Sequence, residues 1–328
     1  MAVPFIIDLD DHEGSGIKTF IRYHANGEKE EEMSAVLDGA GPHGLYNITD
    51  TVMNKTPTGV SVEEASRMVH EHKKGYELFF VDSGKMYLYV YGKRCIIQTG
   101  DIVQLQPEQI HSMVSMEDVK WRGFFHDLDS FQDSIEINEA MEKIPGGKQS
   151  PEFSKAKLPV DHVRHEQPFF VDVPTETVNA VKHPDRPLGK FEFDGVTVKT
   201  IVPRWENGGV TELNLAELQA GTTLRWGYHP YREQYYVRKG RVELNIYGES
   251  YVAKKSCVIN VPKLAPFRLT ALEDAEVYDV GGQTHWFNFL LDLESIRTFN
   301  RERLNDPQTL IQLKETYRIP LEAIEVRK

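Results

Sequence analysis

The sequence predicts an all-β protein built from two tandem β-barrels, with a helical segment after each barrel. Short runs rich in β-branched and aromatic residues, several of them alternating in polarity, fill residues 45–125 and recur over residues 191–291. The length of 328 residues exceeds what one hydrophobic core normally uses. We therefore expect two all-β domains of ordinary size.

Turn residues separate the predicted strands in both regions. In the first region the strand-like runs are LYNITDTVM, YELFFV, KMYLYVY and DIVQLQ. In the second region they are FEFDGVTVKTIV, TELNLAEL, EQYYVR, RVELNIY, CVINV and VYDVGG. The same series of short strand-like runs and turns in both regions indicates a duplicated unit.

A comparable helical segment is predicted after each region. Apolar residues recur there at helical spacing, first at Leu128, Phe131 and Ile135, and then at Leu293, Ile296 and Phe299. Asp306-Pro307 follows as a predicted N-cap with proline at the first helical position. The chain is therefore expected to close with helices.

The domain limits follow from these patterns. Residues 1–144 form the predicted first barrel and its helix, and residues 191–328 form the second barrel and the terminal helices. Residues 145–190 contain seven prolines and little periodicity, which indicates an extended linker on the surface, part of which could lie across a barrel mouth.

Composition excludes several classes of partner. The net charge of −12 and the pI near 5.5 would repel nucleic acid and anionic membranes. The N-terminal run lacks a basic region and a cleavage site, and no stretch reaches about 20 uninterrupted apolar residues. Cys95 and Cys257 are too few for a disulfide framework. A cytoplasmic protein without nucleic-acid or membrane partners is expected.

One group of residues has metal-ligand spacing. His70 and His72 are two residues apart, so that on a strand both imidazoles project from one face, and Glu77 begins the next apolar run. Further along, Gly100 opens a turn and strand that end, after a proline-marked bend, at His111. This pattern resembles the cupin superfamily, whose first motif is HxH, three or four residues, Glu, six residues and Gly, and whose second motif runs from glycine to a histidine eleven positions later.

The cupin resemblance implies jelly-roll barrels and a metal site in the first of them. Carried over residue by residue, it implies that His70, His72, Glu77 and His111 face into the barrel and bind one divalent metal. Two family glycines are replaced, by Glu64 and Glu108, which affects turns more than ligands. Three imidazoles and one carboxylate suit manganese, iron, nickel, cobalt or zinc, with manganese or iron favoured, and leave coordination positions open for substrate.

The second β region repeats the template without the full ligand set. His229, Glu233 and Gly240 match the first motif, but Gly227 stands in place of the first histidine and Phe267 in place of the last. Three pairs of equivalent positions are each 156 residues apart: Glu77 and Glu233, Gly84 and Gly240, and His111 and Phe267. We expect one metal site, in the first barrel, and a degenerate second barrel.

Two residues are candidates for a catalytic role, His126 and the predicted ligand Glu77. His126 ends the last strand of the first barrel, where it could approach the metal pocket as a general acid or base. His285 and Trp286 fall in an insertion relative to the first region and are interpreted as loop or interface residues. Glu77 could act as ligand or as catalytic base.

The predicted activity is metal-dependent cleavage of a carbon–carbon bond in a small chelating substrate, such as a 1,3-dicarbonyl, a hydroxyketone or a polyhydroxylated ring. The resemblance to bicupin enzymes leaves water, as in cyclic diketone hydrolases, and dioxygen, as in ring-cleaving dioxygenases, equally open. A keto-sugar isomerase or epimerase and a storage or binding bicupin are the alternatives. Oxalate decarboxylase chemistry is less favoured because those bicupins usually keep both metal sites. Cupin barrels often pair through sheet edges, which protects those edges from aggregation, so the resemblance also implies a homodimer.

Overall fold

A computed structural model describes most of the two β regions and the C-terminal helices. The described residues are 5–11, 19–23, 28–37, 47–58, 69–126, 162–165, 169–193, 195–209, 212–227, 232–280 and 285–317. The predicted helix at 128–135 lies outside them. Within this part, the chain divides into two compact units, His12–His183 and Met1–Asp11 with Pro184–Lys328.

The first unit is a sandwich of two antiparallel-rich sheets and is called the first barrel below. Its strands are β2 (Thr19–Tyr23), β3 (Lys29–Leu37), β4 (Asn47–Met53), β5 (His70–His72), β6 (Tyr76–Ser83), β7 (Lys85–Val90), β8 (Lys93–Gln98), β9 (Ile102–Leu105), β10 (His111–Ser115), β11 (Val119–His126), β12 (His162–Arg164), β13 (Val171–Asp172) and β14 (Val181–Lys182). The sheet orders are β14-β9-β6-β11-β4-β3-β2 and β12-β5-β10-β7-β8-β13. One apolar core, including Phe79, Trp121, Met86 and Leu88, draws residues from both sheets.

The second unit, the second barrel, has the same construction. Its strands are β1 (Ile6–Asp8), β15 (Gly189–Phe193), β16 (Val196–Val202), β17 (Leu213–Leu218), β18 (Thr223–Gly227), β19 (Glu233–Lys239), β20 (Arg241–Ile246), β21 (Glu249–Lys254), β22 (Cys257–Val261), β23 (Phe267–Ala271) and β24 (Ala275–Asp279). They form the sheets β1-β22-β19-β24-β17-β16-β15 and β18-β23-β20-β21. The prediction of an all-β chain with two jelly-roll barrels is confirmed.

Alternation of apolar and polar residues explains why these segments form half-buried strands. In β20, Val242, Leu244 and Ile246 are buried, whereas Glu243 and Asn245 are partly exposed. Successive side chains of a strand point to opposite faces, so such a run buries one face against the core and hydrates the other. The sequence pattern therefore fixes which face of the strand meets the core.

Four short strands pair with strands that are distant in the sequence. β1 pairs with β22 of the second barrel, with Ile6 opposite Ile259. β12, β13 and β14, all within the predicted linker, pair with β5, β8 and β9 of the first barrel. These pairings satisfy backbone groups at sheet edges. These pairings do not test the predicted domain limits. The division into residues 1–144, 145–190 and 191–328 therefore stays a prediction.

The duplication is visible in the backbone. Five turn positions of the first barrel have positive φ, and each has an equivalent 156 residues later that also has positive φ: Gly84 and Gly240, Tyr91 and Tyr247, Gly92 and Gly248, Gly100 and Ser256, Glu108 and Leu264. A left-handed backbone is uncommon for residues other than glycine. The turns therefore conserve their conformation within the chain even where the residue type differs.

Two helices follow the second barrel in the described residues, as predicted. The helix α1 (Trp286–Phe299) packs Leu290 and Leu293 into a core with Phe191 and Leu313. The helix α2 (Pro307–Thr316) begins after Asp306, whose side chain accepts a hydrogen bond from the backbone N–H of Gln308 at 3.1 Å, which confirms the N-cap. In the described part of the chain, no helix is both long enough and apolar enough to span a membrane.

The loop interpretation of Trp286 was wrong, and its alternative as an interface residue stays a prediction. Trp286 is not a loop residue: it is the first residue of α1 and is 6% exposed. Its ring centroid lies 5.8 Å from that of Phe289. The indole belongs to the core that α1 forms with Phe191 and Leu313, which removes its apolar surface from water.

Candidate metal centre

Three strands of the first barrel bring four potential metal ligands together. His70 and His72 lie at the two ends of β5, Glu77 is the second residue of β6, and His111 is the first residue of β10. β10 pairs with β5 so that His111 lies opposite His70. The antiparallel pairing places residues that are distant in sequence side by side at one end of the barrel.

The ligand atoms of these four side chains all lie within 4.8 Å of one another. The imidazole centroid of His70 is 5.0 Å from that of His72 and 4.3 Å from that of His111. Glu77 Oε2 is 3.6 Å from His111 Nε2, and Glu77 Oε1 contacts His72 Nε2. The four predicted metal ligands therefore converge on one small volume.

The site is buried and has a defined charge. His72, Glu77 and His111 are 3%, 5% and 2% exposed, and His70 is half-buried. Burial by itself raises the pKa of Glu77, but attraction to His72 and His111 and hydrogen bonds from them together lower that pKa well below its usual value. Glu77 is therefore a carboxylate at neutral pH.

The orientation of His111 suits a metal ligand. Its Nδ1 lies 2.7 Å from the carbonyl oxygen of Gln109, which can only accept a hydrogen bond. Nδ1 therefore carries a proton, and in the neutral imidazole Nε2 holds the lone pair that a metal would bind. A backbone partner of this kind fixes the tautomer and the ring orientation of metal-binding histidines.

The donor set fits one divalent transition metal. Bonds from such an ion to nitrogen or oxygen are about 2.0–2.2 Å, so ligands on opposite sides of it are about 4.2 Å apart. The largest separation of 4.8 Å is close to that distance. Within the described residues, this is the one group of three or more histidine, cysteine or acidic side chains with such spacing.

The bend before His111 departs from the family in sequence but not in shape. Glu108 stands where the family usually has glycine, and its φ of 61° is the left-handed conformation that glycine favours. Its N–H donates a hydrogen bond to the carbonyl oxygen of His72 at 2.6 Å. The bend thus connects the backbone of one ligand strand to the segment that leads to His111. Glu64, the other replacement, lies outside the described residues.

The strand that carries two ligands is held from both sides. β5 lies between β10 and β12, with His162 opposite His72 and Arg164 opposite His70. His165 Nε2 also lies 3.3 Å from Glu71 Oε2, on the residue between the two histidine ligands. Sequence reasoning missed β12, because a three-residue strand within a proline-rich segment has no detectable periodicity.

His126, the other predicted catalytic residue, ends β11, where its backbone pairs with that of Tyr76 beside Glu77. The side chain of His126 lies outside the described part of the structure. Its role as a general acid or base stays a prediction.

The equivalent end of the second barrel carries different residues in the same backbone positions. Phe267 is the first residue of β23 and lies opposite Gly227, as His111 lies opposite His70. Glu233 pairs with Val261 as Glu77 pairs with Leu105, and it is fully buried. His229 lies outside the described residues. Two of the four ligand positions therefore hold residues without a metal-binding side chain.

Comparisons with known proteins agree with this architecture. Residues 60–125 match the family described as Cupin domain. The structure of oxalate decarboxylase from Bacillus subtilis at pH 4.6 has 14% identity and a TM-score of 0.52, over 85% of this chain and 76% of that chain. The Lactobacillus farciminis oxalate decarboxylase formate complex has 15% identity and a TM-score of 0.53, over 100% of this chain and 98% of that chain. At these identities, the likeness shows the two-barrel fold. No curated protein sequence matches the chain.

Proposed function

Because residues 60–125 are a cupin domain within a two-barrel cupin fold, we propose that this protein is a metal-dependent enzyme with one catalytic centre, in the first barrel. The centre would hold one divalent metal, manganese or iron in the first instance, through His70, His72, Glu77 and His111. The convergence of their ligand atoms within 4.8 Å, three of the four side chains being almost fully buried, is the observation that carries the proposal.

The four protein ligands suit a chelating substrate. A bound metal would supply a Lewis acid with positions open to substrate oxygens, because four donors do not fill an octahedral shell. Leu105 and Phe125, the cross-strand neighbours of Glu77, are buried apolar residues. An apolar wall excludes water and strengthens electrostatic interactions at the centre. Small molecules with two adjacent or 1,3-related oxygens fit this environment best.

Glu77 would have two roles in turnover. It is ionised at neutral pH, so it can bind the metal or accept a proton from a carbon next to a carbonyl. His126 would return a proton to the product side. These roles favour cleavage of a carbon–carbon bond in an enolisable carbonyl compound or a chelating acid.

Two co-reactants are compatible with this chemistry. Hydrolytic cleavage of a 1,3-dicarbonyl adds one water to the substrate, and dioxygenase cleavage adds both atoms of dioxygen. The ligand set suits both reactions, so isotope labelling of water and dioxygen is needed to distinguish them. The alternatives predict other mass balances: an isomerase or epimerase leaves the mass unchanged, and a decarboxylase releases carbon dioxide.

The test is a screen of metal-loaded protein with 1,3-diketones, hydroxyketones, catechols and oxalate, with and without oxygen. Oxalate is included because both structural neighbours described above are oxalate decarboxylases. Products from ¹⁸O-labelled water or dioxygen identify the co-reactant by mass. Turnover that requires metal and cleaves a carbon–carbon bond supports the proposal. Turnover that is equal in protein stripped of metal, or that only isomerises the substrate, contradicts it.

A further inference from the structure

Gly123 and Phe125 of β11 lie beside the candidate metal centre. Phe125 is opposite Glu77 in the pairing of β11 with β6, and Gly123 is opposite Phe79. Phe125 and Phe79 both belong to the core of the first barrel. Residues two apart on a strand share a face, so Gly123 lies on the interior face with Phe125. Its cross-strand neighbour, Phe79, is two residues further into β6 than Glu77.

The ring of Phe125 lies along its own strand, over Gly123. A Cβ atom on Gly123 would be 2.6 Å from both Cε2 and Cζ of that ring, closer than real contacts allow. The ring centroid is 5.5 Å from that of Phe79 in an edge-on arrangement. The far end of the Phe125 ring is therefore at the depth of Gly123 and Phe79, and it points away from the level of Glu77.

Side-chain space, and not backbone conformation, accounts for glycine at this position. Gly123 has a φ outside the left-handed region, so any residue could adopt its backbone. Its second close neighbour is the hydroxyl of Thr49, fully buried on β4, which would be 2.5 Å from the added Cβ. A threonine hydroxyl can rotate away, whereas an aromatic ring in a packed core has fewer alternatives.

The rings around Phe125 limit where it could go. Phe79 and Trp121 are in contact, with centroids 4.7 Å apart, and Trp121 is 2% exposed. Their centroids lie 5.5 Å and 6.5 Å from that of Phe125, so a movement of the Phe125 ring farther into the core would displace them.

We propose that Gly123 is a specificity-determining residue: by lacking a side chain, it lets the Phe125 ring lie along the strand and leaves room beside Glu77 for a ring-bearing chelating ligand. This inference rests on the proposed function, since it assumes that the ligand occupies open positions of the metal. A methyl group at position 123 would push the ring toward the carboxylate and narrow that room. Ligands with a ring would lose affinity, and smaller chelators would be less affected.

The test compares Gly123→Ala with wild type, both loaded with Mn²⁺, by calorimetric titration of two probes, catechol and oxalate. We expect catechol to bind about tenfold more weakly or worse, because the displaced Phe125 ring would occupy space that the catechol ring needs, and oxalate to change by less than about threefold. The double variant Gly123→Ala/Phe125→Leu should recover catechol binding. The double variant Gly123→Ala/Thr49→Ala should not, because it leaves the ring displaced. Equal effects on both probes, or recovery only with the Thr49 change, would overturn the inference.

A crystal structure of metal-free Gly123→Ala separates this inference from the proposed function. The Phe125 ring is expected to have moved toward Glu77, and a ring in its wild-type position would overturn the inference whatever the metal binds. Wild-type protein that retains no Mn²⁺ would contradict the proposed function alone, because the ring position in Gly123→Ala does not depend on a metal. If Gly123→Ala does not fold, Phe125→Trp, which puts a larger ring in the same place, carries the same expectation for the two probes.

Discussion

His111 lies directly opposite His70 where β10 pairs with β5. This single pairing brings the segment that begins with His111 to the strand that carries His70 and His72, and it completes the group of four potential metal ligands. In the second barrel the same backbone pairing joins Phe267 to Gly227, so the scaffold is retained and the donor atoms are not. The difference between the two barrels is therefore chemical, at matched backbone positions.

Metal retention should depend on pH through the histidines. Imidazoles bind metal only when neutral, so retention should fall as pH drops through about 6. The pKa of Glu77 is lowered, and a group with a lowered pKa keeps its charged-state contribution until the pH falls below that pKa. Glu77 should therefore add nothing to the loss between pH 7 and 5. Metal content after dialysis at stepped pH measures this, and constant retention down to pH 4 would exclude imidazole ligands.

Gly240→Ala should destabilise the second barrel more than Gly221→Ala. Both glycines have positive φ, 76° and 82°, so both changes add left-handed strain of about 1–2 kcal/mol. A Cβ on Gly240 would also collide with the backbone carbonyl of Asp274, whereas Gly221 has nothing within 4 Å. The collision should add about 1–3 kcal/mol. Free energies of unfolding from urea titration compare the two, and equal losses would contradict the predicted clash.

Leu290→Ala should be far more costly than Leu291→Ala. The two leucines are neighbours in α1, but Leu290 is fully buried and Leu291 is 46% exposed. Removing the buried side chain should lower the free energy of unfolding by about 2–5 kcal/mol. The exposed change should stay within about 0.5 kcal/mol. Similar losses from both would show that α1 packs through a different face.

His126→Ala should slow turnover without releasing the metal. A general acid or base typically contributes 10²–10⁴-fold, so a loss of about that size in kcat is expected once a substrate is found. The metal content should equal that of wild type, because the proposed ligands are His70, His72, Glu77 and His111. An unchanged kcat would assign the proton transfer to another group, and loss of metal would make His126 a structural support of the site.

Much of this architecture could be predicted from the sequence because its signals are local. Alternation of apolar residues marks strands such as β20, and Asp306-Pro307 marks the start of α2. The candidate ligands could be named because the spacing of His70, His72, Glu77 and His111 resembles the cupin motifs, and that resemblance implies a shared metal site. The repeated dipeptides Tyr91-Gly92 and Tyr247-Gly248, both with positive φ, are a further signal of the duplication that spacing alone could have revealed.

What the sequence does not show depends on partners that are remote in the chain. Three residues of β1 give no hint that they pair with β22, and β12 is recognisable only by its contact with β5. The position of the Phe125 ring over Gly123 is likewise invisible, because it depends on how Phe79 and Trp121 pack. Short edge strands and ring orientations are decided by tertiary contacts and not by local propensity.

The most direct test of the account is the metal content of purified wild-type, His111→Ala and His229→Ala protein, each expressed with added manganese and iron. The account predicts about one transition metal per chain for wild type and for His229→Ala, and a near-complete loss for His111→Ala. A wild-type protein without bound metal, or metal that is lost with His229 and retained without His111, would contradict a single metal centre in the first barrel.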